Sequence, residues 1–119
     1  MIRTKVPSRG EVWDVRFDPA VGAEMHKIRP AVVISVDSMG RLPLRIVVPI
    51  TEWRALYAGY PWFVRLPANA GNGLSKDSGA DGFQVKSVSL NRFVTLRGSL
   101  TDGQLDDIAS AVALCVGAP

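Results

Sequence analysis

Apolar and polar positions change rhythm several times along the chain, and each change marks an element. EVWDVRF (residues 11–17) alternates, with Trp13, Val15 and Phe17 on one face and Asp14 and Arg16 on the other, which predicts a half-buried strand. AVVISV (31–36) and RIVVPI (45–50) are unbroken apolar runs rich in β-branched residues. That pattern belongs to strands covered on both faces or central to a small barrel. SMGRLP between them is turn material, and WFVRL (62–66), GFQVKSV (82–88) and FVTLRGSL (93–100) predict three further strands. Many short strands joined by Gly- and Pro-rich connections favour a compact β-barrel over a parallel α/β sheet.

The period then lengthens. TDGQLDDIASAVALCVG opens with Thr101 and Gln104 at capping-box spacing, where each side chain can reach the other residue's backbone N–H. Asp102, Asp106 and Asp107 lie toward the positive end of the helix dipole. Leu105, Ile108, Val112 and Cys115 share one face, and Gly117 can end the helix. The predicted architecture is mainly β: a small barrel closed by a C-terminal helix. No repeat, low-complexity tract or linker divides the 119 residues, which predicts a single domain over 1–119.

Composition narrows the function classes. Hydrophobic content of 47% and charged content of 21% suit a soluble globular protein. The start of the chain has no apolar signal core, and no apolar run approaches the ~18–20 residues that span a bilayer, so the expectation is cytoplasmic with no membrane partner. One cysteine, Cys115, cannot form an intramolecular disulfide and reads as a small core residue; no Cys/His set has metal-ligand spacing. Charge is unevenly divided: residues 1–100 carry all 14 Lys and Arg for a net of +6, and residues 101–119 a net of −3. A basic body with an acidic tail suits a polyanionic partner at the body.

The single histidine, His26, excludes a two-histidine nuclease and gives a Ser-His-Asp or His-metal site little support. NAGNGLSKDSGADG lacks phosphate-loop spacing and reads as a mobile surface loop able to shape a site. The remaining concentration of chemistry is DPAVGAEMHKIRPAVVIS with VVPITEW. Glu24, His26, Lys27 and Arg29 cluster just ahead of a buried strand, and Pro30 biases Arg29 toward extended backbone. Thr51 follows the apolar run of the next strand. If the two strands are neighbours, a guanidinium and a hydroxyl converge at the barrel rim, a pair suited to holding phosphate oxygens. Taken alone, both residues also fit ordinary strand punctuation.

RGEVWDVRFDPAVGAEMHKIRPAVVIS, VVPIT, GYPWFVRLP and GLSKDSGADGFQVKSVSLNRF resemble, in order, the signatures of the MazF/PemK/Kid family of toxin ribonucleases. The resemblance covers roughly residues 9–116. It implies an SH3-like barrel dimer and a sequence-selective, metal-independent endoribonuclease of a type II toxin–antitoxin system, with no cofactor. The implied chemistry is attack by a ribose 2′-OH on the adjacent phosphorus of single-stranded mRNA, giving 2′,3′-cyclic phosphate and 5′-OH ends. It makes Arg29 the principal catalytic residue, Thr51 a holder of the phosphoryl group, and Glu24 an orienting or proton-transfer group.

Lys27, Gln84, Lys86 and His26 are carried as RNA contacts, although a solvated loop residue is the simplest reading of His26. Where many relatives have an acidic or amide residue before Gln-Val, this chain has Phe83, expected in the core but able to stack on a base if exposed. Glu52 adds a negative charge beside Thr51. The implied partners are RNA, an acidic and partly disordered antitoxin, and a second copy of the chain. Trp53, Leu56, Tyr57, Tyr60 and Trp62 give the homodimer weak independent support, or else form the lid of the monomer core. The alternative on the same fold is a non-enzymatic CcdB-like gyrase poison or antitoxin-binding module.

Overall fold

The computed structural model describes residues 6–119. Seven strands, β1 (Glu11–Arg16), β2 (Ile28–Val33), β3 (Leu44–Glu52), β4 (Phe63–Leu66), β5 (Ser78–Asp81), β6 (Lys86–Ser89) and β7 (Phe93–Ser99), precede one helix, α1 (Asp102–Cys115). The strands pair antiparallel in the order β4-β5-β3-β2-β1-β7, with β6 beside the first half of β3. Fold class follows the expectation from sequence: mainly β with a C-terminal helix.

β3 organises the sheet because it changes partner along its length. Its residues 44–47 pair with β6 and 50–52 with β5, while the opposite edge holds β2 through Ala31↔Pro49, Val32↔Val48 and Val33↔Val47. Pro49, which has no N–H to give, falls in the gap between the two partners. Both faces are covered where β1, β2 and β3 run side by side at the centre of the sheet, while Leu44 and Ile46 leave one face of the first half of β3 exposed. Trp13, Val15, Phe17, Ala31, Val33, Val47 and Val88 form one buried cluster. Val12, Val32, Val48, Ile50, Leu66 and Leu74 form the other with Leu105 and Ile108 of α1. The alternation of β1 therefore describes only part of that strand: Val12, on the face expected to be polar, is fully buried.

β4 and β7 end the strand order without pairing to each other, so the expected barrel is open along that seam. The glycine-rich segment 67–77 fills it. Gly71 C=O accepts from Ser99 N at 2.9 Å, and Gly73 C=O accepts from Arg97 Nε at 3.1 Å. A Cβ on Gly98 would lie 2.3 Å from the Gly71 oxygen, and one on Gly73 2.2 Å from the Arg97 oxygen, so this contact needs glycine on both sides. Asn72, fully buried, receives the N–H groups of Asn69 and Leu74 and donates to Pro67 C=O. Leu74 is core, and the end of the same motif, Ser78–Asp81, is the fully buried β5. In place of a free loop, the segment is tied down: Asn69 and Asn72 bond its own backbone, and Asp77 pairs with Arg65 of β4.

The helix begins with the predicted capping box, Thr101 N to Gln104 Oε1 at 3.1 Å and Gln104 N to Thr101 Oγ1 at 3.2 Å. It ends as Gly117, with φ +69°, turns the chain so that Ala118 N reaches Ala113 C=O. Leu105, Ile108 and Ala111 are its buried residues; Val112 packs beside them and Cys115 is only half-buried. Gly82 allows the close approach, since a Cβ there would sit 3.3 Å from that of Ala111. α1 thereby supports the short 3-10 turn Gly82–Gln84, which carries Phe83 and the candidate site residue Gln84. Among the described residues no helix is long and apolar enough to cross a membrane.

Candidate active site

Continuing the β2–β3 register two residues beyond Ala31↔Pro49 sets Arg29 level with Thr51. Arg29 is also fixed from the other edge, opposite Val15 of β1. Thr51 pairs with Gly79 of β5, where a Cβ would come within 2.9 Å of the Trp53 ring. Trp53 packed on that glycine, with its N–H on Asp77 C=O at 2.9 Å, holds the end of β3 in place. The convergence expected from sequence is therefore present. Arg29 and Thr51, both half-buried, line one cleft of about 210 Å³.

That cleft is cationic. Arg54, Lys76 and Arg97 join Arg29 on its walls, against the single carboxylate of Glu52. Lys76 Nζ lies 3.7 Å from Glu52 Oε2, both well exposed, so Glu52 is drawn toward the outer wall by a solvent-screened pair. At this size the cleft falls below the ~300–1,000 Å³ of small-molecule pockets. Its walls suit an anionic group of a larger ligand, because guanidinium donors hold phosphate oxygens in fixed geometry.

The other expected residues are distributed differently. Glu24, Gln84 and Lys86 line a second cleft of about 470 Å³ together with Phe17, Met25, Pro49 and Phe83. Glu24 is not a wall of the Arg29–Thr51 cleft; its carboxylate accepts from Val21 N at 2.6 Å. Gln84 clips the same loop, accepting from Met25 N at 2.5 Å and donating to Ala23 C=O at 3.3 Å. Lys27 adopts φ +63° and donates its N–H to Asp18 Oδ1 at 3.0 Å. His26 and Lys27 are exposed on this loop and line neither cleft.

Phe83 is a correction. It is 66% exposed rather than in the core. The predicted strand 82–88 is broken: Asp81 accepts from Phe83 N at 3.1 Å and caps a turn, and β6 begins only at Lys86. The turn swings Phe83 into the second cleft, with the Trp62 ring against it edge-on at 6.0 Å. Burial pushes the Asp81 carboxyl above its ordinary range, opposed by hydrogen bonds from Phe83 and Gln84. The aromatic segment behind is largely self-satisfied: Tyr57 stacks on Phe63 at 4.0 Å, Tyr60 on Trp62 at 4.7 Å, and Arg65 lies over Trp53 at 5.1 Å. Arg65 is itself ion-paired with Asp77, which holds that carboxyl below its usual range.

Two arginines escaped the sequence reading. Arg92 Nη1 donates to Arg16 C=O at 3.0 Å and Asp18 C=O at 2.6 Å, fixing the base of the 18–27 loop. Arg97 donates to Gly73 C=O and to Asp14 Oδ1, each at 3.1 Å. Their partners lie far away in sequence, so no local spacing could have shown them. Among the described residues no three His, Cys, Asp or Glu side chains gather as a metal site.

The class is therefore that of a small antiparallel β-sheet protein with one C-terminal helix and a cation-lined cleft at the rim of β2 and β3. The chain belongs to the family described as PemK-like, MazF-like toxin of type II toxin-antitoxin system, which matches residues 8–116. It is 35% identical to endoribonuclease MazF9 of Mycobacterium tuberculosis, over 89% of this chain and 92% of that protein. It is 31% identical to the endoribonuclease toxin MazF of Escherichia coli, over 98% and 100%. In structure it is similar to MazF of Deinococcus radiodurans, with a TM-score of 0.81 and 25% identity, covering 96% of this chain and 99% of that one. The fold also matches a MazE–MazF complex from Deinococcus radiodurans, with a TM-score of 0.74 at 22% identity over 98% and 100%.

Proposed function

We propose that this chain is the toxin of a type II toxin–antitoxin pair, acting as a cytoplasmic, single-domain endoribonuclease on single-stranded mRNA. The observation that carries the reading is the pairing of Arg29 with Thr51 across β2 and β3 in a cation-lined cleft. Membership of the toxin family and relatives named endoribonuclease support it. They favour it over a gyrase poison, which has no need of that pair.

In the proposed reaction the ribose 2′-oxygen attacks the neighbouring phosphorus and the P–O5′ bond breaks. The 2′-OH proton leaves, the 5′-oxygen gains one, and the products are a 2′,3′-cyclic phosphate and a 5′-OH. Arg29 donates to the non-bridging oxygens and Thr51 adds a hydroxyl donor, so charge developing at phosphorus meets donors already in position. A guanidinium with a pKa above ~12 is a poor base, which keeps Arg29 in the electrostatic role. Glu24, on the adjacent cleft, is assigned the orienting role, and the reaction draws on no metal or cofactor.

The second cleft reads the RNA. Exposed Phe83 offers a face for an unpaired base, and Gln84, Lys86 and Glu24 offer polar atoms to its edges. Lys27 and His26 meet the strand on the outer loop. The partners are a second copy of the chain and an acidic antitoxin segment that folds over the basic rim; a MazE–MazF complex among the structural matches supports the second.

The test is incubation of purified protein with mixed-sequence RNA in excess EDTA, followed by mass analysis of the fragment ends. Cleavage leaving cyclic phosphate and 5′-OH is expected. Intact RNA, or cutting that stops when metal is removed, would overturn the reading.

A further inference from the structure

We propose that Arg97 is a second phosphate-binding residue of the Arg29–Thr51 cleft, gripping the backbone phosphate next to the scissile one. This rests on the nuclease reading above but assigns a residue and a subsite that the family motifs do not contain.

Arg97 lies on β7, three strands away from Thr51 in the sheet order, yet lines the same cleft as Arg29. Its side chain is 26% exposed, enough to meet a ligand while remaining ordered by its surroundings. Nε donates to Gly73 C=O and Nη1 to Asp14 Oδ1, both at 3.1 Å. Both acceptors are themselves fixed. Asp14 sits within β1 between Pro30 of β2 and Thr95 of β7, and Gly73 is pressed against the Arg97 backbone. A guanidinium has five N–H donors, and these bonds use two of them. Nη2 makes no hydrogen bond among the described residues and remains for a ligand. An arginine held this way loses little side-chain freedom when it binds phosphate, so more of each new bond appears as affinity.

The plainer role is a seam staple joining β1, β7 and the 67–77 segment. A staple needs one anionic partner and has no reason to border a cleft holding three further cations. Those cations, Arg29, Arg54 and Lys76, leave the cleft with more positive charge than one phosphate requires, as expected if two successive phosphates of one strand lie across it.

The experiment measures binding of an RNA oligonucleotide made uncleavable by a 2′-deoxy substitution at the scissile position. Affinity is followed against salt for the wild type, Arg97→Gln and Arg97→Lys, with cleavage of the unmodified RNA and unfolding midpoints in parallel. Arg97→Gln should weaken binding by about tenfold, flatten the salt slope by about 0.7, one single-strand phosphate contact, and raise KM by more than it lowers kcat. Arg97→Lys should restore the slope and part of the affinity. Replacing the neighbouring phosphate by a neutral methylphosphonate should weaken the wild type but leave Arg97→Gln unaffected. Unchanged slope and affinity in Arg97→Gln, or failure of both variants to fold, makes Arg97 a staple and overturns the proposal. Wild-type protein that leaves the RNA uncut sinks the nuclease reading instead, so the two failures are distinguishable.

Discussion

The two clefts meet at β3, through Thr51 in one and Pro49 in the other, but are built in opposite ways. The Arg29–Thr51 cleft is small and walled by cations, with one arginine anchored in advance by a carboxylate and a carbonyl. The Phe83–Lys86 cleft is about twice as large, with an exposed aromatic ring at its edge and polar groups that also hold the 18–27 loop. Donors fixed before the ligand arrives suit stabilisation of charge at one atom. A ring and adaptable amide and amine groups suit discrimination between bases. On the proposed reading, the difference separates the cutting of a phosphodiester from the choice of which one to cut, with β3 between the two.

The sharpest way to break this division is at Arg29. Arg29→Ala should lower cleavage at least ~1,000-fold, about 4 kcal/mol of barrier, with an unchanged unfolding midpoint; a fully active variant removes the first cleft from the chemistry. Thr51→Ala should slow single-turnover cleavage 10–1,000-fold, about 1.4–4 kcal/mol. Phe83→Ala should act on the other side of the division. It should cost about 1–3 kcal/mol of base stacking at preferred sequences and flatten the ranking among RNAs, read by sequencing the fragments. A uniform loss across all sequences would show that Phe83 does not select.

Gly98→Ala tests the seam on which the first cleft depends. The added Cβ, 2.3 Å from the Gly71 oxygen, must push the 67–77 segment off β7. The expected cost is about 1–3 kcal/mol in urea unfolding, together with weaker RNA binding through Lys76 and Arg97. Wild-type stability would mean that the seam is slack.

The smallest effect is expected at Asp81, under the turn that presents Phe83. Burial raises its folded-state pKa above the unfolded value, so its contribution to stability is complete below the unfolded value of about 3.9 and is lost as pH rises through the folded one. Asp81→Asn can still cap Phe83 N but does not titrate. Wild-type stability relative to Asp81→Asn should therefore fall between about pH 3 and pH 7. A relative gain over that range contradicts the buried-carboxyl account.

Much of this was legible in the chain because the forces responsible act over a few residues. The capping box joins positions three apart, and Gly117 ends its helix through the next residue's N–H. The apolar runs of β2 and β3 identified strands covered on both faces, and Pro30 identified Arg29 as extended. What the chain could not display was the destination of side chains whose partners are remote. Arg97 meets Asp14 across 83 positions, and Gln84 meets Met25 across 59, with no periodicity to record either. Phe83 misled because an apolar residue in a strand-like run implies burial, whereas the Asp81 cap turned it outward. The glycine-rich segment misled because composition reports conformational freedom and not contacts; backbone packing against β7 makes it a wall of the cleft. The sequence by itself determined six of the seven strands, the helix and, on condition that β2 and β3 are neighbours, the Arg29–Thr51 pair; β5 lay hidden in the segment read as a loop. Only the tertiary structure decided that Glu24 stands in a different cleft from that pair and that Arg97 stands beside it, because antiparallel register and seam packing bring together residues that local spacing cannot connect.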